Sequence, residues 1–96
     1  MGNIQSSGDK TATGVVTAKP CRYWGMTGYA TSDDVEITLH DNYEAASGTV
    51  VDRMKIDFSV KPTDHHTIPQ GVFCAQGLYM TISGTSPKAV IQFEPL

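Results

Sequence analysis

The sequence lacks long hydrophobic runs and blocks of like charge. No apolar stretch approaches the roughly 18 residues that cross a bilayer, and no positively charged start leads into a hydrophobic stretch as in a signal peptide. The 7 basic and 10 acidic side chains are scattered along the chain, whereas nucleic-acid binding needs a clustered basic face. Neither a membrane nor a nucleic acid is expected as a partner, and we expect the chain to stay in a cytoplasm until it is released.

Cysteine is also scarce, with only Cys21 and Cys74. Two cysteines so far apart cannot form the framework of a small disulfide scaffold. Each lies in an apolar, strand-like segment, PCRYWG and GVFCAQG, where a free thiol behaves as a small hydrophobe. Buried free thiols are therefore predicted, and a mutual disulfide is the alternative if adjacent core strands bring the two together. A catalytic thiol would need a positioned histidine, which neither segment supplies.

Catalytic and metal-binding motifs are missing too. The sequence has no phosphate-cradling glycine loop, no dinucleotide fingerprint and no nucleophile elbow. Asp64, His65 and His66 are adjacent, but neighbouring side chains on an extended chain point apart and no zinc spacing is present. Asp41 is most simply a turn residue whose carboxylate bonds local backbone amides. We predict no catalytic residue, metal or cofactor, and no enzymatic activity.

The sequence does contain clear β-strand patterning. Apolar and polar residues alternate from Val35 to Leu39 in DVEITLHDN, which is typical of a strand with one face in a core and one face in water. A second alternating segment, TVVDRMKIDFSV, places Met54, Ile56 and Phe58 on one side. A helix would need apolar residues three and four positions apart, which the charged residues between them interrupt.

Short strand-like segments separated by turn signals extend over the rest of the chain. Segments GVFCA, GLYMTISGT and KAVIQFE follow one another, and the AQG between the first two is predicted to be a tight hairpin. The segment KPTDHHTIPQG is predicted to be a loop because Pro62 and Pro69 enclose it. About seven short, mainly antiparallel strands indicate an all-β fold, a single small sandwich or barrel.

The beginning of the sequence differs in composition from the rest. Residues 1–11 are small and polar, which predicts an extended, flexible N-terminal arm that is disordered alone or ordered by a neighbour. Residues 12–96 form the predicted sandwich domain. The letters MGNIQS also match the N-myristoylation pattern through Gly2 and Ser6, which in a eukaryotic cell would give a weak, reversible anchor.

The whole pattern resembles the small accessory structural proteins of tailed bacteriophages, especially head decoration or cement proteins. The segments that carry the resemblance are GVVTAKPCRYWGM, ITLHDNYEAASGTVVD and PQGVFCAQGLYMTISGTSPKAVIQFE, which extend from about residue 12 to residue 94. The resemblance implies a virion protein that is made in the bacterial cytoplasm, binds the major capsid protein on the capsid surface and reinforces it. It also implies a homo-oligomer, for which a trimer is favoured over a dimer.

Strand edges, the arm and aromatic side chains would make the contacts in such a role. The candidate partner-contact residues are Tyr23, Trp24, Met26, Tyr29, Tyr43 and Tyr79. Ordinary core or strand packing is the alternative explanation for each of them.

Two other functions remain open from the sequence. A tail-associated adaptor or fibre-base module would use the same fold with a different partner. A carbohydrate-binding sandwich would stack sugars on an exposed aromatic such as Trp24 or Tyr43, with an acid such as Asp41 nearby.

Overall fold

Eight strands form the ordered framework of residues 4–96, the part of the chain that the computed structural model describes. They are β1 (Gln5–Ser6), β2 (Gly14–Thr17), β3 (Cys21–Tyr29), β4 (Val35–His40), β5 (Val50–Ile56), β6 (Thr63–Cys74), β7 (Leu78–Ser83) and β8 (Lys88–Pro95). The first sheet has the order β1-β8-β3-β6 and the second sheet the order β2-β7-β4-β5. All strand pairs are antiparallel. The predicted all-β sandwich is confirmed, with eight strands instead of seven.

The core lies between the two sheets and follows the alternation of the sequence. Val35, Ile37 and Leu39 on β4 are all buried, so the core-facing side predicted for this strand is confirmed, whereas Thr38 on the side predicted to face water is also buried. The sheets approach closely at Gly28, where an added Cβ would lie 2.7 Å from Cδ1 of Ile56 on the opposite sheet. The completely buried core side chains are Cys21, Tyr23, Met26, Ile37, Leu39, Cys74, Leu78, Ala89 and Ile91.

The strand β5 is shorter than its sequence pattern predicts. Met54 and Ile56 point into the core, but Phe58 lies beyond the end of the strand and is 39% exposed. Its prediction as an inward-facing residue is wrong because the chain turns at Asp57. The Asp57 carboxylate accepts the Ser59 N–H at 3.0 Å, a local hydrogen bond that competes with continued pairing.

The segment around Pro69 is a strand, and its prediction as a loop is wrong. β6 is an edge strand whose only neighbour is β3, so the missing N–H of Pro69 leaves no gap in a central ladder. The pairing passes from Gly25 with Thr67 directly to Tyr23 with Val72. The intervening residues of β6 therefore form a bulge, and this edge is interrupted near its middle.

The AQG segment is also not a hairpin turn. β6 belongs to the first sheet and β7 to the second, so Ala75–Gly77 carries the chain from one sheet to the other. The Asp41 carboxylate accepts the N–H groups of Ala75 at 3.2 Å, Gln76 at 2.9 Å and Gly77 at 3.4 Å. Asp41 therefore fixes this crossing rather than a local turn of its own segment.

The described part of the N-terminal arm is extended and ordered by its own chain. The Ser7 N–H donates to the Ile91 carbonyl at 2.8 Å, and the Lys10 N–H donates to the Ala89 carbonyl at 2.7 Å. Strand β8 thus supplies the pairing that a neighbour was expected to supply. Gly2 of the myristoylation pattern lies outside the described residues. Within residues 4–96, no helix is long and apolar enough to cross a membrane.

Candidate binding faces

Two of the six predicted contact residues belong to the core. Tyr23 and Met26 on β3 are completely buried between the sheets, so for these two residues the packing alternative is correct. The prediction that they lie free of the core fails because both side chains point to the inner face of β3, whereas Trp24 and Tyr29 on the same strand do not. A partner that docks on the outside of the sandwich does not reach either side chain.

The Tyr23 hydroxyl takes part in a polar link between the sheets. It donates to Oδ2 of Asp52 on β5 at 2.7 Å, and Nδ1 of His66 on β6 lies 3.1 Å from the same oxygen. Burial, followed by the hydrogen bond to Asp52, raises the pKa of Tyr23 well above its usual range. Tyr23 therefore stays a neutral donor, and the link closes one side of the sandwich.

The outer face of the first sheet carries Trp24, and we name it the Trp24 face. Position 28 points inward, toward the other sheet, so its neighbours Thr27 and Tyr29 point outward. Trp24 and Thr27 line a cleft of about 340 Å³ together with residues of the arm, β6 and β8. Tyr29 lies farther along this face, beside Asp9 and Lys88, whose charged groups are 3.8 Å apart.

The outer face of the second sheet carries a row of side chains that crosses all four strands. Val15 pairs with Tyr79, Tyr79 with His40, and His40 with Val50. Directly paired residues point to the same face, so these four residues, which we name the Tyr79 row, lie side by side. Val15 is 40% exposed and Val50 is 44% exposed. Nδ1 of His40 is shielded from solvent and has no hydrogen-bond partner within residues 4–96.

Tyr43 lies apart from both faces, in the loop between β4 and β5, where it is half exposed. Of the predicted contact residues, the fold thus places Trp24 and Tyr29 on one face and Tyr79 on the opposite face. A sugar site that combines Tyr43 with Asp41 has little support, because the Asp41 carboxylate is occupied by the backbone of residues 75–77.

The two cysteines face each other across neighbouring strands. Cys21 on β3 is the register partner of Cys74 on β6, and both thiols are free and completely buried. The hydrogen bond with Cys21, together with burial, raises the pKa of Cys74. The prediction of buried free thiols is confirmed.

The histidine cluster that the sequence suggested is divided between the two surfaces of its strand. His65 lies on the exposed side of β6, while His66 turns inward to Asp52. The Asp64 carboxylate accepts the backbone N–H of His65 at 2.8 Å, and this bond lowers the pKa of Asp64. Among residues 4–96, no three His, Cys, Asp or Glu side chains come together as a metal site.

A larger depression of about 420 Å³ lies at one end of the second sheet, and its charged groups are already engaged. Glu36 lies 3.9 Å from the ammonium group of Lys55. The Asp34 carboxylate accepts the N–H of Phe58 at 3.0 Å. These contacts indicate that the depression is a structural junction between β4 and β5.

The sequence interpretation missed several exposed residues of the Trp24 face. Phe73 is 55% exposed, and His65 and Thr67 line the cleft. His65 and Thr67 lie in the part of β6 for which the sequence predicts a loop, whereas Phe73 lies in the predicted strand segment GVFCA. Exposed and half-buried residues alternate from Thr63 to Ile68, but Asp64 and His66 occupy half-buried positions, so the sequence itself shows no alternation of polar and apolar residues here.

Comparisons with known proteins do not identify a relative. No family model, no curated protein and no solved structure matches the chain.

Proposed function

We propose that this chain is a non-enzymatic structural protein of a tailed-phage virion that binds the outer capsid surface and stabilises it. The observation that carries the proposal is the Tyr79 row, which crosses the full width of the second sheet. Tyrosine is one of the residue types enriched at the energetic centres of interfaces, and Val15 and Val50 at the two ends of the row are exposed. The resemblance to decoration proteins supplies the class of partner, the major capsid protein.

The dimensions of the molecule are sufficient for a stable contact. Its principal extents are 40 × 25 × 20 Å, so a broad face offers roughly 1,000 Å², above the ~800 Å² per partner of a standard interface.

The face of the second sheet is better suited to docking than the edges formed by β6 and β2. Edge strand β6 is interrupted by the Pro69 bulge, and edge strand β2 has a register shift between Val15 and Thr17. Bulges and prolines are typical protections against edge pairing. The arm is already paired with β8, so it is less available to a neighbour than its composition suggested.

The proposal includes self-association on the capsid, with a trimer favoured over a dimer. Many copies bound to one lattice add avidity to a weak single contact. Analytical ultracentrifugation of the free chain and of the capsid-bound fraction after release measures this part separately.

Expanded capsids assembled without this chain provide the decisive experiment. The purified protein is added to saturation, binding is measured by co-sedimentation, and the thermal stability of the capsid is recorded. We expect saturable binding and a higher disruption temperature. Absence of stabilisation at saturating protein would contradict the proposal, and binding to purified tails instead would favour a tail adaptor.

Substitutions in the row localise the contact. Val15→Asp and Val50→Asp place a charge in the proposed interface, and we expect each to weaken capsid binding at least tenfold. The matched control is Val60→Asp, because Val60 is 79% exposed in the turn after β5 and outside the row. Equal effects of the three substitutions would show that another surface binds. Far-UV circular dichroism verifies the fold of each variant.

A further inference from the structure

The cleft on the Trp24 face is assembled from three adjacent strands and the arm. Trp24 and Thr27 on β3 lie between β8 and β6. Within the described part of the chain, the cleft is lined by Ile4, Trp24, Thr27, His65, His66, Thr67 and Gln92. At about 340 Å³, the cleft is near the lower limit of the ~300–1,000 Å³ typical of small-molecule sites.

A glycine and the bulge beside it explain why an indole lies on this face. An added Cβ at Gly25 would collide with the His66 carbonyl oxygen, so β6 packs directly against the backbone of β3 there. The register of β3 with both neighbours shifts between Tyr23 and Gly25. Trp24 is the residue left over at this shift, and it lies outside the regular ladder.

The polar groups of the cleft are free to bind a ligand. Within residues 4–96, the side chains of Thr27, His65, Thr67 and Gln92 form no hydrogen bond with the protein. Nε1 of Trp24 is shielded and has no partner among the same residues, so the indole presents its carbon surface to the cleft. Uncommitted donors and acceptors thus surround an aromatic surface.

The charge of the cleft restricts the ligand class. Among residues 4–96, no lysine, arginine, aspartate or glutamate lines the cleft, so these residues offer no counter-charge to phosphate, carboxylate or ammonium groups. The inward partner of His66 is Asp52, which lies beneath the sheet at 3.1 Å from its ring nitrogen. A suitable ligand is therefore uncharged, with an apolar flat side and hydroxyl groups around its rim.

We propose that the Trp24 cleft binds a neutral pyranose unit of a glycan. The C–H face of the sugar ring stacks on the indole of Trp24. The Thr67 hydroxyl, the His65 ring and the Gln92 amide bond the sugar hydroxyls. The cleft lies on the sheet opposite the Tyr79 row, so sugar binding and capsid binding use different surfaces and are tested independently.

The single tryptophan of the chain gives a direct probe, because emission at Trp24 reports on this cleft alone. The full chain is titrated with neutral methyl pyranosides of the gluco, galacto, manno and N-acetylglucosamine series and with their β-linked disaccharides. We expect a saturable emission change with at least one of them, with a dissociation constant on the order of 1 mM. No response to any sugar by the folded protein would overturn the proposal.

Variants of the rim locate the bound sugar. Thr67→Val and Gln92→Met keep the side-chain size but remove a hydrogen-bonding group, and each is expected to weaken binding roughly fivefold to tenfold. Thr63→Val is the matched control, since Thr63 is exposed on the same strand but does not line the cleft. Circular dichroism and thermal unfolding confirm that each variant is folded. An equal loss in Thr63→Val, or binding only of proline-rich peptides or nucleosides in NMR titrations, would refute the assignment.

Discussion

Removal of the Tyr23 hydroxyl tests whether the polar link between the sheets stabilises the sandwich. Tyr23 is completely buried, and its hydroxyl donates to Asp52 at 2.7 Å. Tyr23→Phe keeps the ring in the core and deletes only this donor. A hydrogen bond to a charged group is worth about 1.5–3 kcal/mol, so we expect the free energy of unfolding at pH 7 to fall by about 2 kcal/mol.

Urea and thermal denaturation measure this loss. For a domain of this size, 1 kcal/mol corresponds to about 4–8 °C, so the melting temperature should fall by roughly 8–16 °C while the urea m-value is unchanged. Tyr43→Phe is the matched control, because Tyr43 is half exposed and its variant should remain within about 0.5 kcal/mol of the parent. A loss below 0.5 kcal/mol for Tyr23→Phe would refute the reasoning. The reasoning would also be refuted if Tyr23→Phe cost as much stability in the Asp52→Ala background as in the parent chain, because the double-mutant cycle would then show no coupling between the two residues.

Alkaline pH provides a second arm of the same test. The pKa of Tyr23 is raised in the folded chain, first by burial and then by the bond to Asp52, whereas the unfolded value is about 10. Its stabilising contribution is complete below pH ~10. At higher pH the unfolded chain releases a proton that the folded chain retains, so this contribution falls by up to about 1.4 kcal/mol per pH unit. The penalty of Tyr23→Phe should therefore shrink from pH 8 to pH 11, and a constant penalty would contradict this account.

Three further predictions concern other parts of the framework. Gly28→Ala places a methyl group 2.7 Å from a side chain of the opposite sheet and should lower stability by about 1–3 kcal/mol in urea titrations; a neutral effect would show that the sheets separate freely. Asp41→Ala should speed amide exchange at residues 75–77, measured by NMR, with a smaller effect for Asp41→Asn, and unchanged exchange would show that the carboxylate does not fix the crossing. Disulfide formation between Cys21 and Cys74, driven by oxidised glutathione during refolding and detected by mass spectrometry, should raise stability by about 4 kcal/mol for a closed loop of roughly 50 residues. A destabilised oxidised form would show that the pair geometry is strained.

The strands predicted best are those whose side chains alternate strictly. β4 is the clearest, because its apolar residues Val35, Ile37 and Leu39 all lie in the core, although Thr38 between them is buried as well. A period of two is a local property, so the sequence alone contains it. For most of β6 the sequence predicts a loop, because proline normally argues against a strand. Pro69 is compatible with this strand only because β6 lies at a sheet edge.

The assignment of strands to sheets could not be predicted in the same way. The segment Ala75–Gly77 has the composition of a hairpin turn, yet it crosses between sheets and is held by Asp41 from a distant part of the sequence. A short link that contains glycine can form either a hairpin turn within one sheet or a crossing between two sheets. The choice depends on pairing between segments far apart in the chain, which no local pattern records.

The candidate sites show the same limit. Trp24 lies on an outer face, but most of the polar groups around it come from β6 and β8. Tyr23 precedes Trp24 in sequence and has similar chemistry, yet it is completely buried. The register shift beside Gly25 determines which aromatic side chain faces outward. This shift is a property of the pairing between strands, so the sequence alone does not reveal it.

The strand order determines when this sandwich can fold during synthesis. Only β4 and β5 pair as consecutive strands, and the central strand β3 pairs with β6 and β8, both of which are made later. At about 5–20 residues per second, the ribosome needs several seconds to progress from β3 to β8. During that interval the apolar side of β3 has no completed sheet to join. The soluble yield of this chain should therefore depend on chaperone supply and growth temperature during expression as well as on its final stability.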